Sequence, residues 1–404
     1  MKIGILWENF EIGGVTTHLE NLLNNKAFKN FKFVVITNET NKASKILKKR
    51  LTNKNVEFNY YNSLNVIYFQ NILIKIVFFL LRPFLFVISI FQFYFLLKKY
   101  KFNLLLAQCG GYGDFRSEIS GLLAGKILNF PTKILVIHHS FTKPKLWNFL
   151  LRTIDIIIKN IIDGLIFVSK ATRNNIYENT YLYSKEYKEE IIYNGVNIIS
   201  NKKKNKKINK LIKRDKILNL SMLSRIEPEK GQELLIDVFK ELPNDIKNLT
   251  RVYFIGEISK DYLKRLKKKL KSLNLDNHFI FTGYIHVESS TIIKKMDLLI
   301  SLTRNFEGFG LSLAEALSVN TPVLATKVGG VTEFLNNKNS ILINPNNRKE
   351  LKLSLIKFVK NPKKYRKQSI LGKKLIRKSF SSRKMSENYK NFFYKCMKKN
   401  KNLI

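Results

Sequence analysis

From Lys2 onward the chain alternates short apolar runs with stretches of helical periodicity. Ile3, Ile5 and Leu6 form the first run, Gly13-Gly14 marks a turn, and Val15, Leu19, Leu22 and Leu23 recur at helical spacing. This order predicts a βα unit. Further strands are expected at 33–37, 104–108, 134–137, 165–168 and 191–193, mostly with helical stretches between them. Alternation of this kind argues for a parallel sheet covered on both faces.

The basic tract SNKKKNKKINKLIKR at 200–214 is too poor in apolar residues to read as a core element, and is expected to be an interdomain linker. Beyond it the alternation restarts, with strands expected at 218–223, 251–255, 279–282, 298–301 and 322–325. The pattern therefore predicts an α/β protein of two Rossmann-like lobes, 1–199 and 215–375, with a terminal helical segment at 376–404. A length of 404 residues suits two such lobes, and 45% hydrophobic residues suffice for two cores.

One stretch departs from the pattern. From Val66 to Leu97 the chain is almost wholly apolar, broken by Lys75 and by Arg82-Pro83. A plain membrane span wants about 20 apolar residues without such interruptions. Burial against the sheet and peripheral contact with an anionic membrane both remain open, the second aided by Lys75, Lys98, Lys99 and Lys101.

Charge widens the choice of partner. With 72 Lys and Arg against 30 Asp and Glu, the net charge is +42, which attracts nucleic acid, anionic lipid or acidic glycan alike. A general abundance of Lys, Asn and Ile accounts for part of it without any function. Cys109 and Cys396, the two cysteines, have no disulfide or zinc spacing. The start of the chain has no secretory pattern, so a cytoplasmic location is expected.

The chemistry concentrates after the expected strand at 298–301. There Glu307-Gly308-Phe309-Gly310-Leu311 leads on to Glu315. Glycines after a strand let backbone N–H groups approach a ligand, and a following helix presents its positive end to a diphosphate. Glutamates eight apart on a helix would stand just over two turns apart on one side. Arg225, Lys230 and Gly231 follow another expected strand, where a bidentate guanidinium and a compact ammonium can neutralise phosphate charge. Tyr284, in FTGY at 281–284, and the segment 321–330 ending in Gly329-Gly330, with Glu333 beyond it, stand after two more.

Taken together, these segments resemble the group-1 (family-4) retaining glycosyltransferases. The resemblance implies the GT-B fold, with a cleft between the lobes and a last helix crossing back to the first. It assigns donor binding to Gly14, Arg225, Lys230, Tyr284, Glu307, Gly308, Phe309, Gly310, Leu311 and Glu315. Catalytic roles fall to His138, Glu307, Arg225 and Lys230. His138 closes an apolar strand where the family often carries a histidine, with His139 replacing the usual next residue. The segments 167–170 and 193–197 match generically, as does the tail with Phe380, Tyr389, Phe393 and Tyr394. Ser340 stands where the family usually has Gly before its last strand, a departure that bears on a turn.

No Asp-x-Asp occurs in the sequence, and no cluster has metal-ligand spacing. The expectation is therefore a metal-independent, cofactor-free transfer from a nucleotide sugar to a glycan or lipid-linked acceptor, in cell-surface polysaccharide or glycolipid synthesis. A nucleotide-sugar epimerase of similar fold is the nearer alternative. A basic nucleic-acid-binding protein is the remoter one, because neither an RNP-like segment nor a helix-turn-helix pattern is present.

Overall fold

The computed structural model describes the chain except for residues 65–75, 78–79, 114–115, 142–147, 199–207, 209–211, 213–215 and 402–404. It divides into two compact units, Met1–Tyr193 with Arg383–Ile404, and Asn194–Ser382. Each is built on a wholly parallel sheet.

In the first unit the strands are β1 (Lys2–Leu6), β2 (Lys32–Asn38), β3 (Val56–Tyr61), β4 (Leu104–Cys109), β5 (Lys133–Ile137), β6 (Gly164–Phe167) and β7 (Lys188–Ile191). Their order is β3-β2-β1-β4-β5-β6-β7. The pairing of Ile3 with Leu104 and of Ile134 with Gly164 sets the register. Residues of the interior strands β4, β5 and β6 are buried throughout, as a sheet covered on both faces requires. The helices Arg82–Leu97, Ser117–Ile127 and Asn148–Ile161 share one core. Gly14–Leu23, Lys42–Arg50 and the returning helix Ser382–Lys401 contribute to another. That last helix sits close enough to the sheet that a Cβ at Gly164 would come within 2.7 Å of the Cys396 sulfur.

In the second unit β8 (Leu218–Leu223), β9 (Thr250–Ile255), β10 (Phe279–Gly283), β11 (Leu298–Ser301), β12 (Val323–Thr326) and β13 (Ile341–Ile343) run in the order β10-β9-β8-β11-β12-β13. In both sheets the order reverses beside the first strand, and open α/β sheets bind ligands at the carboxyl ends there.

The structure differs from the sequence reading in its strands and in one tract. β3 was not expected, β13 was implied by the resemblance alone, and β7 lies three residues earlier than its expected start. The tract read as a linker supplies core: Ile208 and Ile212 are each 1% exposed and pack with Tyr253, Ile255, Ile292 and Met296. Ile212 N–H also donates to Ile208 O at 2.8 Å.

The apolar stretch at 66–97 is described from 80 onward and at 76–77. Its helix Arg82–Leu97 takes Pro83 in the first turn, where no N–H is missed. Phe86, Ser89, Phe93 and Leu97 face the core, whereas Phe84, Phe91 and Phe95 are at least 60% exposed. Among the described residues no helix is long and apolar enough to cross a membrane.

Candidate active site

The carboxyl ends of β8 and β11, neighbours in the sheet, bring the second unit's candidate residues together. Past β8 the chain runs through Arg225 and a single 3-10 turn, Pro228–Lys230, to Gly231 at φ +79°. Past β11 it runs through Thr303 and Glu307 to Gly310 at φ +89°. Both glycines are left-handed, a conformation other residues reach at a cost. Each is the residue that opens a helix, Gln232–Lys240 and Leu311–Ser318 respectively, and neither offers a side chain to cap the first N–H groups. Two positive helix ends therefore stand beside the two strand ends.

The Lys230 ammonium lies 2.9 Å from Glu307 Oε2, with both side chains largely shielded from solvent. Thr303 Oγ1 donates to the same oxygen at 3.3 Å. Arg225 reaches Glu227 at 3.1 Å and keeps more exposure.

Several backbone contacts fix the Glu307 loop. Gly330 N–H donates to Glu307 O at 2.8 Å, Arg304 N–H donates to Glu229 O at 3.0 Å, and Thr326 Oγ1 donates to Thr303 O at 2.7 Å. Asn305 Nδ2 adds a bond to Glu229 Oε2 at 2.8 Å. A Cβ at Gly329, where φ is +54°, would stand 2.2 Å from Glu307 O. The Gly329-Gly330 pair is thus a close approach to the Glu307 backbone.

In the first unit the corresponding edge is uncharged around its histidine. His138, one residue past β5, is buried and places Nε2 2.6 Å from Gln108 Oε1 on β4. An amide oxygen can only accept, so Nε2 carries the proton and Nδ1 is left as the acceptor. The His18 ring meets His138 edge-on at 4.7 Å between centroids, and Tyr389 OH lies 3.3 Å from His18 Nε2. Burial, and then the neighbouring His18, push the His138 pKa well below its ordinary 6.5. The ring is neutral at pH 7. Gly14 opens the Gly14–Leu23 helix behind Gly13, which provides no side-chain cap.

A second titratable cluster lies near the ends of β1 and β3. Glu118 is 1% exposed and accepts from Glu8 N–H at 3.2 Å, while Tyr61 OH and Ser63 Oγ both donate to the Glu8 carboxylate. Burial first, then the Glu8 charge, push Glu118 up to about 8, against the pull of Arg116.

Comparison with known proteins now bears on this geometry. Residues 201–375 match the family described as Glycosyl transferases group 1. The chain carries a group 1 glycosyltransferase domain.

An uncharacterised glycosyltransferase of Methanocaldococcus jannaschii is 28% identical over 323 residues, 77% of this chain and 80% of that protein. The poly(ribitol-phosphate) alpha-N-acetylglucosaminyltransferase of Staphylococcus aureus is 31% identical over 142 residues, 34% of this chain and 28% of its own. Among solved structures, HepE from Anabaena in complex with UDP and glucose is similar at TM-score 0.74 and 18% identity, covering 98% of this chain and 100% of that one. A glycosyltransferase of Rickettsia africae gives TM-score 0.76 at 19% identity, with 98% of both chains covered. The glycosyltransferase has the GT-B fold.

Within it, the expected site residues occupy different settings. Lys230 and Glu307 meet, and Arg225 stands at the same strand end. Tyr284 follows β10, its ring 5.0 Å from that of His286. The Phe309 ring is buried against Phe334 and Phe380, at 4.9 and 5.7 Å, and Leu311 is 9% exposed. Their backbone is what these two residues can offer a donor. Glu307 and Glu315 do not share a helix, contrary to the sequence reading, because left-handed Gly310 interrupts helical geometry and leaves Glu307 in the loop. Glu315 is in the helix and 7% exposed. His139 is half-exposed and its Nδ1 is bonded to Ser140 Oγ at 3.1 Å. The sequence reading passed over His18, Gln108 and Glu118, whose importance comes from neighbours far away in the chain.

Proposed function

We propose that this glycosyltransferase moves a sugar from a nucleotide-diphosphate donor to a glycan or lipid-linked acceptor, with retention of configuration and without a metal ion. The observation that carries the reading is the pairing of Lys230 with Glu307 beside two helix ends that both open on bare, left-handed glycines. Such a setting suits a diphosphate: fixed cations and N–H dipoles oppose the charge that grows on the leaving group. Arg225 and Lys230 take that role, and helix ends supplement them. Glu307, held in place by Lys230 and Thr303, is the group for the sugar hydroxyls, and Glu315 the group for the ribose.

In a retaining transfer the acceptor oxygen attacks on the face that the nucleotide leaves. Neutral His138, with Nδ1 as its acceptor, is the partner of a hydroxyl on the transferred sugar and cannot repel the cationic character of a breaking glycosidic bond. HepE was solved with UDP and glucose, which supports a nucleotide-sugar donor here. The name of the S. aureus relative, a transferase acting on poly(ribitol-phosphate), supports a cell-surface polymer as acceptor. The two buried free thiols, Cys109 and Cys396, suit a reducing cytoplasmic setting.

A thermal-shift screen of nucleotide sugars tests the donor. A true donor at about a hundred times its Kd stabilises the fold by about 2.7 kcal/mol, and product analysis by NMR then gives the anomeric configuration. An inverted product, or transfer abolished by a chelator and restored by Mg²⁺ or Mn²⁺, would refute the reading.

A further inference from the structure

The helix layer formed by Arg82–Leu97, Ser117–Ile127 and Asn148–Ile161 has an outer face unlike a solvated one. Phe84, Phe91 and Phe95 are exposed by 64, 61 and 60%, on the side of their helix opposite Phe86 and Phe93. Phe149, in the first turn of Asn148–Ile161, is 79% exposed, and Ile156 and Ile157 follow at 45 and 42%. Single exposed hydrophobics need no account, but a contiguous row of phenylalanines on one helix does.

The charge on this layer has one sign. Lys98, Lys99 and Lys126 are exposed at the helix ends, Arg152 is exposed, and the Lys98 ammonium lies 4.7 Å from the Phe95 ring centroid. The carboxylates on these helices point elsewhere: Glu118 is 1% exposed, and Asp155, 5% exposed, accepts from Tyr112 OH and Tyr181 N–H. Exposed rings with exposed cations and buried carboxylates are complementary to an anionic bilayer, where rings enter the acyl boundary and lysines meet headgroups.

We propose that this face docks the enzyme on an anionic phospholipid surface. Leu97 and Ile161 lead within a few residues to the amino ends of β4 and β6, so Phe84 and Phe149, at the far ends of their helices, lie toward the carboxyl edge that carries His138. A docked enzyme would therefore lie with this helix layer along the bilayer, meeting the headgroups with that edge at one end of the helices and with Lys98, Lys99 and Lys126 at the other. Docking deepens the glycosyltransfer reading by naming where the acceptor is met, and rests on that reading for its purpose alone.

Flotation of the full chain with vesicles of phosphatidylglycerol and phosphatidylcholine, against phosphatidylcholine alone, decides the matter. Wild type should float with the anionic vesicles at low salt and be released as salt rises. The triple variant F84S/F91S/F95S should lose binding by roughly a hundredfold, and K98E/K99E should lose about fivefold or more per lysine. Unchanged melting of both variants, with a donor-induced shift equal to that of wild type, separates loss of docking from loss of fold or of the donor site. Equal flotation of wild type and the triple variant would overturn the proposal. So would a wild type that never floats, or a dimer in sedimentation that the phenylalanine variant dissolves, which would make a second copy the occupant.

Discussion

At the strand ends of the second unit the candidate side chains are charged and paired, Lys230 with Glu307 and Arg225 with Glu227. Around His138 in the first unit they are neutral rings and an amide, packed out of water against Gln108, His18 and Tyr389. The same sheet edge is thus furnished in two ways. Fixed charges suit a ligand whose own charge changes during reaction, since they need no rearrangement when that change comes. A dry, neutral site suits hydroxyls, where discrimination depends on which atom donates and which accepts.

If that division holds, removing a charge should hurt most. Lys230→Ala should lower turnover by about 10² to 10³ while leaving the melting temperature nearly unchanged, because the pair is partly exposed and Glu307 retains Thr303. Wild-type kcat in that variant, with an identified donor, would remove Lys230 from the chemistry.

Gly329→Ala comes next and tests the loop beneath the charges. The added methyl meets Glu307 O at a left-handed position, so stability should fall by about 1–3 kcal/mol. Gly13→Ala, where nothing lies within 4 Å and the backbone is extended, should stay within about 0.5 kcal/mol. Denaturant titration of both distinguishes a crowded glycine from a merely convenient one, and equal costs would dissolve the distinction.

For the neutral site, His138→Ala should cost about tenfold in kcat, with affinity for free nucleotide unaffected. Because the folded pKa of His138 lies below 6.5, neutral imidazole persists at pH 7 and is lost only as pH falls further. The acid limb of the wild-type rate profile should therefore lie below 6.5. Gln108→Glu, which puts an acceptor-only carboxylate beside Nε2–H, should move that limb upward. A limb that stays put in the variant would show that Gln108 does not govern the ring.

The last prediction concerns stability alone. Glu118 holds its proton up to about 8 when folded but to the ordinary 4.5 when unfolded. Its contribution is full below about 4.5 and is lost as pH rises through 8. Glu118→Gln should flatten this decline, and a variant whose melting temperature falls between pH 5 and 8 as steeply as wild type would contradict the assignment.

What could be read in the sequence follows the same physics. The interior strands announced themselves because a strand buried on both faces must be apolar throughout, as LLLAQC and KILVI nearly are. The misses in the first sheet were its edge strands, VEFNYY and KEEI, whose mixed polarity reflects partial burial. Arg225, Lys230 and Glu307 were legible because glycines and charges after a strand carry a local signature. Gln108, His18 and Glu118 were not, since a buried amide or acid takes its role from partners that only the fold supplies. The same holds for Ile208 and Ile212, hidden in a tract whose lysines dominate its composition.

The returning helix gives the molecule an order of assembly. Tyr389, Phe392, Phe393 and Cys396 complete the core that holds Ile3, Leu19, Phe28 and Leu106, and the tight seam at Gly164 admits nothing else. During synthesis from the amino terminus, the second unit can close its core as soon as Ser382 has emerged. The first unit, though translated earlier, must wait with one face of its sheet partly bare until the returning helix has been made. A chain cut short before Arg383 would keep the whole of the second unit and lack part of the first unit's core.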